Sequence, residues 1–172
     1  MNFYELSKAR CSVRKFRPEH IRQEDLEYIL QCGRTAPTAV NHQPQRILVL
    51  NTDEDCARLK RCAASQSHAP TALLVCYDTQ SAWVRPVDGK CSGEIDVAIV
   101  QTQMMLAAAE IGVGSVWVMA FDPAKTREAL NLPETYVPVS FLMLGYLADD
   151  AVPTPMHADK LPESATVFYH TF

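Results

Sequence analysis

A chain of 172 residues fits one domain, 1–172, and can bury roughly 70% of its unfolded surface, so its core needs neither a disulfide nor a metal. With 48% hydrophobic and 21% charged residues it falls in the ordinary globular class. The formal net charge of −4 excludes a general affinity for nucleic acid or anionic membrane, so an anionic ligand must find a local cluster of cations.

In chain order, Asn2 with Glu5 three positions on forms a capping box that starts a helix over Phe3–Ala9. The segment Arg10-Cys11-Ser12-Val13-Arg14-Lys15-Phe16 follows, closed by Pro18. Leu26, Ile29, Leu30 and Gly33 recur at helical spacing and predict a helix from Gln23 to about Thr35. Ala36–Pro44, with two prolines and small residues, is a loop. Arg46–Leu50 is a buried-type strand, Thr52 caps a helix over about Asp53–Ala64, and Ala72–Tyr77 is a second apolar strand. Asp78–Ser92 is irregular, punctuated by Pro86 and Gly89.

A long helix is predicted over about Gly93–Ile111. Ile95, Ala98, Ile99, Thr102, Met105, Leu106 and Ala109 make one stripe, while Val97, Val100, Met104, Ala108 and Ile111 are apolar on other faces. A helix apolar nearly all round wants burial on all sides, and in so small a chain a second copy is a natural way to provide it. Gly112 and Gly114 end the helix. The strands Ser115–Met119 and Val139–Tyr146 flank a short helix that Asp122 caps, Pro123 opens and Leu130 closes. The tail from Leu147 to Phe172 carries Pro153, Pro155, Pro162 and a strand-like run, Ala165–His170; it is expected to lie as an arm over the body or over a partner. Helices and strands mix without strict βαβ alternation, which predicts an α+β fold with a central sheet covered by helices.

No apolar run approaches the ~18 residues of a membrane span, and Met1–Glu5 lacks a basic stretch leading into an apolar one, so a cytoplasmic protein is expected. Cys11, Cys32, Cys56, Cys62, Cys76 and Cys91 form no CxxC pair. With His20, His42, His68, His157 and His170 they make no zinc spacing, so reduced thiols and no metal site are expected. Asp149-Asp150 is read as a turn. Gly112-x-Gly114 lacks the third glycine of a dinucleotide fingerprint, and neither a Walker A motif nor a G-x-S-x-G elbow is present.

Four groupings carry chemistry. In an extended segment Arg10, Ser12 and Arg14 share one side, giving an anion cradle of two planar guanidiniums and a hydroxyl; the same residues also make a solvated basic turn. The loop Ala36-Pro37-Thr38-Ala39-Val40-Asn41-His42-Gln43-Pro44 lets a flat ligand approach its backbone and offers amides to a heterocycle edge, or simply connects a helix to a strand. Trp117-Val118-Met119-Ala120-Phe121 is a wall for a ring system or plain core. Trp83-x-Arg85 is the edge of a pocket or a surface contact.

The ordered set R-C-S-V-R-K-F at 10–16, A-P-T-A-V-N-H-Q-P at 36–44, I-D-V-A-I at 95–99, L-A-A-A-E-I-G-V-G-S-V-W-V at 106–118, P-V-S-F-L-M-L-G-Y at 138–146 and H-A-D-K-L-P at 157–162 resembles the nitroreductase family, near its compact microbial members. The resemblance implies a three-layer α/β/α sandwich with a mixed, mainly antiparallel sheet. It implies a homodimer, with the arm of residues 147–172 wrapping the partner and FMN in a cleft built from both subunits. By this match Arg10, Cys11 (through its backbone), Ser12 and Arg14 hold the phosphate and ribityl, and Lys160 adds charge from the arm. Pro37, Thr38, Ala39 and Asn41 reach that flavin from the other subunit, and Met119 and Ala120 lie against the ring. The chain departs from larger members in having Met119 and Ala120 where they carry an acidic residue and a glycine, and in Lys160 where arginine is frequent. The implied activity is ping-pong hydride transfer from NADH or NADPH through FMN to a nitroaromatic, a quinone or a similar small acceptor, with no catalytic side chain, because flavin does the chemistry. The alternatives are a flavin-binding storage or regulatory protein, or a relative with other flavin chemistry.

Overall fold

The computed structural model describes residues 1–62 and 69–172. Helices α1 (Phe3–Ala9), α2 (Gln23–Arg34), α3 (Asp53–Cys62), α4 (Gly93–Glu110) and α5 (Pro123–Ala129) alternate irregularly with strands β1 (Gln45–Leu50), β2 (Thr71–Asp78), β3 (Gly114–Val118) and β4 (Tyr136–Gly145). Local chemistry sets the ends. The Asn2 side chain accepts the Glu5 amide at 3.0 Å while the Glu5 carboxylate accepts the Asn2 amide at 3.1 Å, the reciprocal pair the sequence predicts. Asp122 accepts the amides of Ala124 and Lys125 ahead of a first-turn Pro123. Thr52 accepts the Asp55 amide; the predicted far end of that helix, Ala63 and Ala64, lies outside the described residues, as does His68.

The strands pair in the order β1-β2-β4-β3, antiparallel throughout. The parallel component of the expected mixed sheet is one isolated bridge, Ser12 to Ser115, which lays the segment after α1 along the β3 edge. Side chains alternate across the sheet. Leu73, Val75, Leu142 and Leu144 face α2 and α4, while Leu74, Cys76, Phe141 and Met143 face the α3 and α5 side. Each such fully buried Leu, Val or Phe stabilises the fold by roughly 1.5–3 kcal/mol. The result is the α/β/α sandwich.

Two expectations need correction. β4 begins at Tyr136, not Val139: Pro138 sits inside it, opposite Cys76 at a register shift. A proline without an N–H is tolerated there because β3 pairs only with residues 141–145, leaving that flank of Pro138 without a neighbouring strand among the described residues. Ala165–His170 is not a strand. A 3-10 turn covers Glu163–Ala165, and every residue from Ala158 to Phe172 is exposed, so the alternating pattern has no edge to pair with.

Helix α4 lies on the sheet with Val97, Val100, Met104 and Ala108 buried. Its other stripe is open: Ile95 is 52% and Ile99 37% exposed. With Phe3 and Leu6 of α1, Thr102 and Leu106, that stripe lines a groove of about 830 Å³. Among the described residues no helix is long and apolar enough to cross a membrane.

Candidate functional site

The cradle residues leave α1 at its C-cap, Arg10, whose amide donates to Leu6. The parallel bridge to β3 then holds the chain extended, with the Val13 amide donating to the Ser115 carbonyl at 2.9 Å. Val13 is buried, and its neighbours Ser12 and Arg14 look outward, as alternation requires. Among the described residues Arg14 donates only to the Ser12 carbonyl, at 3.4 Å. Arg10 touches the Met105 sulfur at 3.8 Å, a weak acceptor. Among the described residues neither guanidinium meets a carboxylate, whereas Lys15 pairs with Asp150 at 2.5 Å and Arg17 with Asp149 at 2.8 Å. The Asp149-Asp150 turn thus occupies the flanking cations and leaves two guanidiniums and a hydroxyl available for an anion.

Cys11 to Lys15 form one wall of a groove of about 280 Å³, faced by Leu147 and residues 151–154 of the arm. The arm binds its own chain here. The Ala148 amide donates to Lys15, and the His157 ring meets the Lys8 carbonyl at 3.1 Å. Lys160 donates to the His157 carbonyl at 3.0 Å.

The Pro37–Asn41 loop lies elsewhere. Thr38 accepts the Gln43 amide on its hydroxyl at 3.0 Å and the Asn41 amide on its carbonyl, closing a tight turn. Val40, Asn41 and Gln43 have φ of 52°, 55° and 50°, the left-handed region. For a β-branched valine this is a true outlier, and each such residue costs on the order of 1–3 kcal/mol. The turn is tied to the start of α4: the Ala39 amide donates to Asp96 Oδ1 at 2.8 Å, and Ser92 Oγ donates to Asp96 Oδ2 at 2.7 Å. Gly93 allows this end of α4 to sit on the Tyr77 ring, into which a Cβ would project.

Arg10 therefore stands beside Met105 and the loop beside Asp96, about 14 Å apart along α4 at 1.5 Å per residue. Within one chain the two halves of the predicted site are not brought together. Cradle and arm meet; loop and cradle do not. Trp117 is half-buried and Val118 buried, but β3 ends there, and Met119 (68%) and Ala120 are exposed beyond it, so the run is core at its start and open at its end. Trp83 and Arg85 belong to a small hairpin bridged from Val84 to Cys91, with the Arg85 fork closed on Asp88 at 2.7 and 2.5 Å. The sequence shows Asp96 only within the I-D-V-A-I segment at 95–99, with no role of its own. Its Ala39 partner is 57 residues away, and the local signal is only a serine four residues before an acid at the start of a helix.

The chain matches the Nitroreductase family over residues 8–84 and 62–146. It belongs to the nitroreductase family. A nitroreductase family protein from Clostridium difficile 630 is 40% identical and superimposes with a TM-score of 0.94, covering 100% of both chains. The FMN reductase [NAD(P)H] of Bacillus subtilis is 26% identical over 94% of this chain and 70% of its own. A protein of Exiguobacterium sibiricum solved in complex with FMN shares the fold, at 23% identity and a TM-score of 0.85 over 98% of this chain and 97% of its own.

Proposed function

We propose that the protein is a homodimeric, cytoplasmic FMN oxidoreductase that draws on NADH or NADPH and reduces a small acceptor such as a nitroaromatic or a quinone. One observation carries this reading: the cradle and the loop stand at opposite ends of α4, with an open apolar stripe, Ile95 to Leu106, between them. Two such helices packed antiparallel across a twofold axis would cover both stripes and bring the cradle of each subunit to the loop of the other. The groove at residues 11–15 and 151–154, about 280 Å³, is smaller than the 300–1,000 Å³ of most ligand pockets and is open on one side, as half of a shared site would be.

The donor set fits the group. Arg10, Ser12, Arg14 and the Cys11 backbone would hold the phosphate and ribityl, with Lys160 adding charge beside them. Pro37, Thr38, Ala39 and Asn41 of the partner subunit would approach the ring edge, and the exposed Met119 and Ala120 would form an uncharged wall against it. FMN, when bound, supplies the hydride chemistry. The protein's part is to anchor the anionic tail, hold the ring edge by amides and leave one ring face open, so that donor and acceptor use it in turn. The FMN reductase of Bacillus subtilis and the FMN complex from Exiguobacterium sibiricum support the cofactor.

The test is anaerobic addition of NADH, and separately NADPH, to protein saturated with FMN. Bleaching of the flavin absorbance by either donor, reversed by menadione or nitrofurazone, is expected. Bound flavin that neither donor bleaches would make the chain a flavin carrier without turnover.

A further inference from the structure

Asp96 is 1% exposed and stands in the first turn of α4. An acid at that position ordinarily serves its own helix, accepting free amides or complementing the positive end of the dipole. Here neither carboxylate oxygen accepts a hydrogen bond from an α4 amide. Oδ1 accepts the Ala39 amide at 2.8 Å and Oδ2 accepts the Ser92 hydroxyl at 2.7 Å. Ser92, itself buried, makes no capping bond to α4 and instead orients the carboxylate. The result is a partly buried, charge-assisted bond from the helix to a turn with three non-glycine residues in the left-handed region. The rest of that turn is held by its own Thr38 contacts, by Gln43 donating to Asn41, and by His42 against the Ser81 carbonyl on the exposed side. Arg46 donates to the Gln43 carbonyl at the far end of the turn, and the Ala39–Asp96 bond ties the middle of the turn to α4.

We propose that Asp96 is a positioning residue for the flavin: by fixing the Ala39 amide it holds the Pro37–Asn41 backbone in its strained, ring-facing form before any cofactor arrives. This rests on the flavin reading above and adds to it a residue that touches no ligand. A preset loop binds without a further ordering cost, so loss of the lock appears as weaker flavin binding. The stability of the fold would change less, because the turn contributes no residue to either core cluster apart from flanking Ala36.

The test compares Asp96→Ala with Asp96→Asn. The asparagine keeps an oxygen to accept the Ala39 amide, and its Nδ2 donates to Ser92 Oγ, the reverse of the wild-type bond in which the hydroxyl donates. Asp96→Ala should weaken FMN and riboflavin equally, by roughly ten- to a hundredfold, the range of a charge-assisted hydrogen bond. Asp96→Asn should restore affinity to within about threefold of wild type. Equal loss for both flavins marks the ring-side loop, because a phosphate-cradle defect weakens FMN more than riboflavin. Amide exchange at Ala39 should rise in Asp96→Ala and not in Asp96→Asn, a readout that needs no flavin. Wild-type affinity in Asp96→Ala, or unchanged Ala39 exchange, overturns the inference while leaving the flavin reading standing. If Asp96→Ala does not fold, Ser92→Ala serves instead: it must raise Ala39 exchange and weaken both flavins to the same degree, or the inference fails. A wild-type protein that binds neither flavin overturns the functional reading itself.

Discussion

Lys15 closes onto Asp150 at 2.5 Å, across 135 residues of chain, while Arg14 beside it donates to the Ser12 carbonyl. The exposed pair contributes little to stability by itself. Its effect is selective: it withdraws one cation of a basic cluster and leaves the guanidiniums for an anion. Arg10→Ala and Arg14→Ala should each cost about 1.5–3 kcal/mol of FMN affinity, the range for hydrogen bonds to charged groups. Isothermal titration checks this, with riboflavin for comparison; both variants should weaken FMN more than riboflavin, which lacks the phosphate. FMN binding unchanged in both would remove the cradle from the site.

The open α4 stripe should be a subunit contact. Ile99→Asp puts a carboxylate in the middle of the groove lined by Phe3, Ile95, Ile99 and Leu106. Burying an unpaired charge is strongly unfavourable, so the variant should sediment as a single subunit and lose FMN, with the fold kept. A dimeric Ile99→Asp protein that still binds FMN would place the subunit contact elsewhere.

Asp25 gives the fold an acid-sensitive joint. Its buried carboxylate accepts both nitrogens of the Arg22 fork at 3.0 Å and the Tyr146 hydroxyl at 2.6 Å. The Arg22 hydrogen bonds outweigh the opposing effect of burial and, with Tyr146, hold its pKa below the usual 3.8. A depressed carboxyl contributes stability that is full above the unfolded value and lost as pH falls through the folded one. Asp25→Asn should therefore be less stable than wild type at pH 7, by about 1–3 kcal/mol, with the gap narrowing below pH 4. Urea melts across that range check it; a gap that stays constant with pH would contradict it.

Much of this was legible locally. The Asn2–Glu5 box, the Asp122-Pro123 start and the apolar runs of β1 and β2 all follow from neighbours in sequence. The failures are non-local. Pro138 hid the start of β4, because only the short reach of β3 shows why a proline fits there. The 165–170 alternation suggested a strand, yet a strand needs an edge that sequence periodicity does not provide. The candidate site divides the same way. Arg10, Ser12 and Arg14 were visible as a motif, but their separation from Pro37–Asn41 depends on where α4 runs. Asp96 stands in the I-D-V-A-I segment, but its bond to Ala39 depends on how the loop folds back on α4.

Gly93 should tolerate no side chain. A Cβ there meets the Tyr77 ring, itself packed against the core, so Gly93→Ala should overpack the seat of α4 and cost about 1–3 kcal/mol. A thermal melt should fall by roughly 2–4 °C per kcal/mol in a chain of this size. An unchanged melting temperature would show that the ring moves aside freely.

Subunit mixing probes the shared cleft most directly. Arg14→Ala protein and a Thr38→Ala/Asn41→Ala loop variant, each weak for FMN alone, are co-expressed and the mixed dimer isolated by two affinity tags. A cleft made from the cradle of one subunit and the loop of the other predicts that the mixed dimer regains one tight FMN site per two chains. If no tight site returns, all these residues serve a cofactor held within one chain, and the account given for α4 is contradicted.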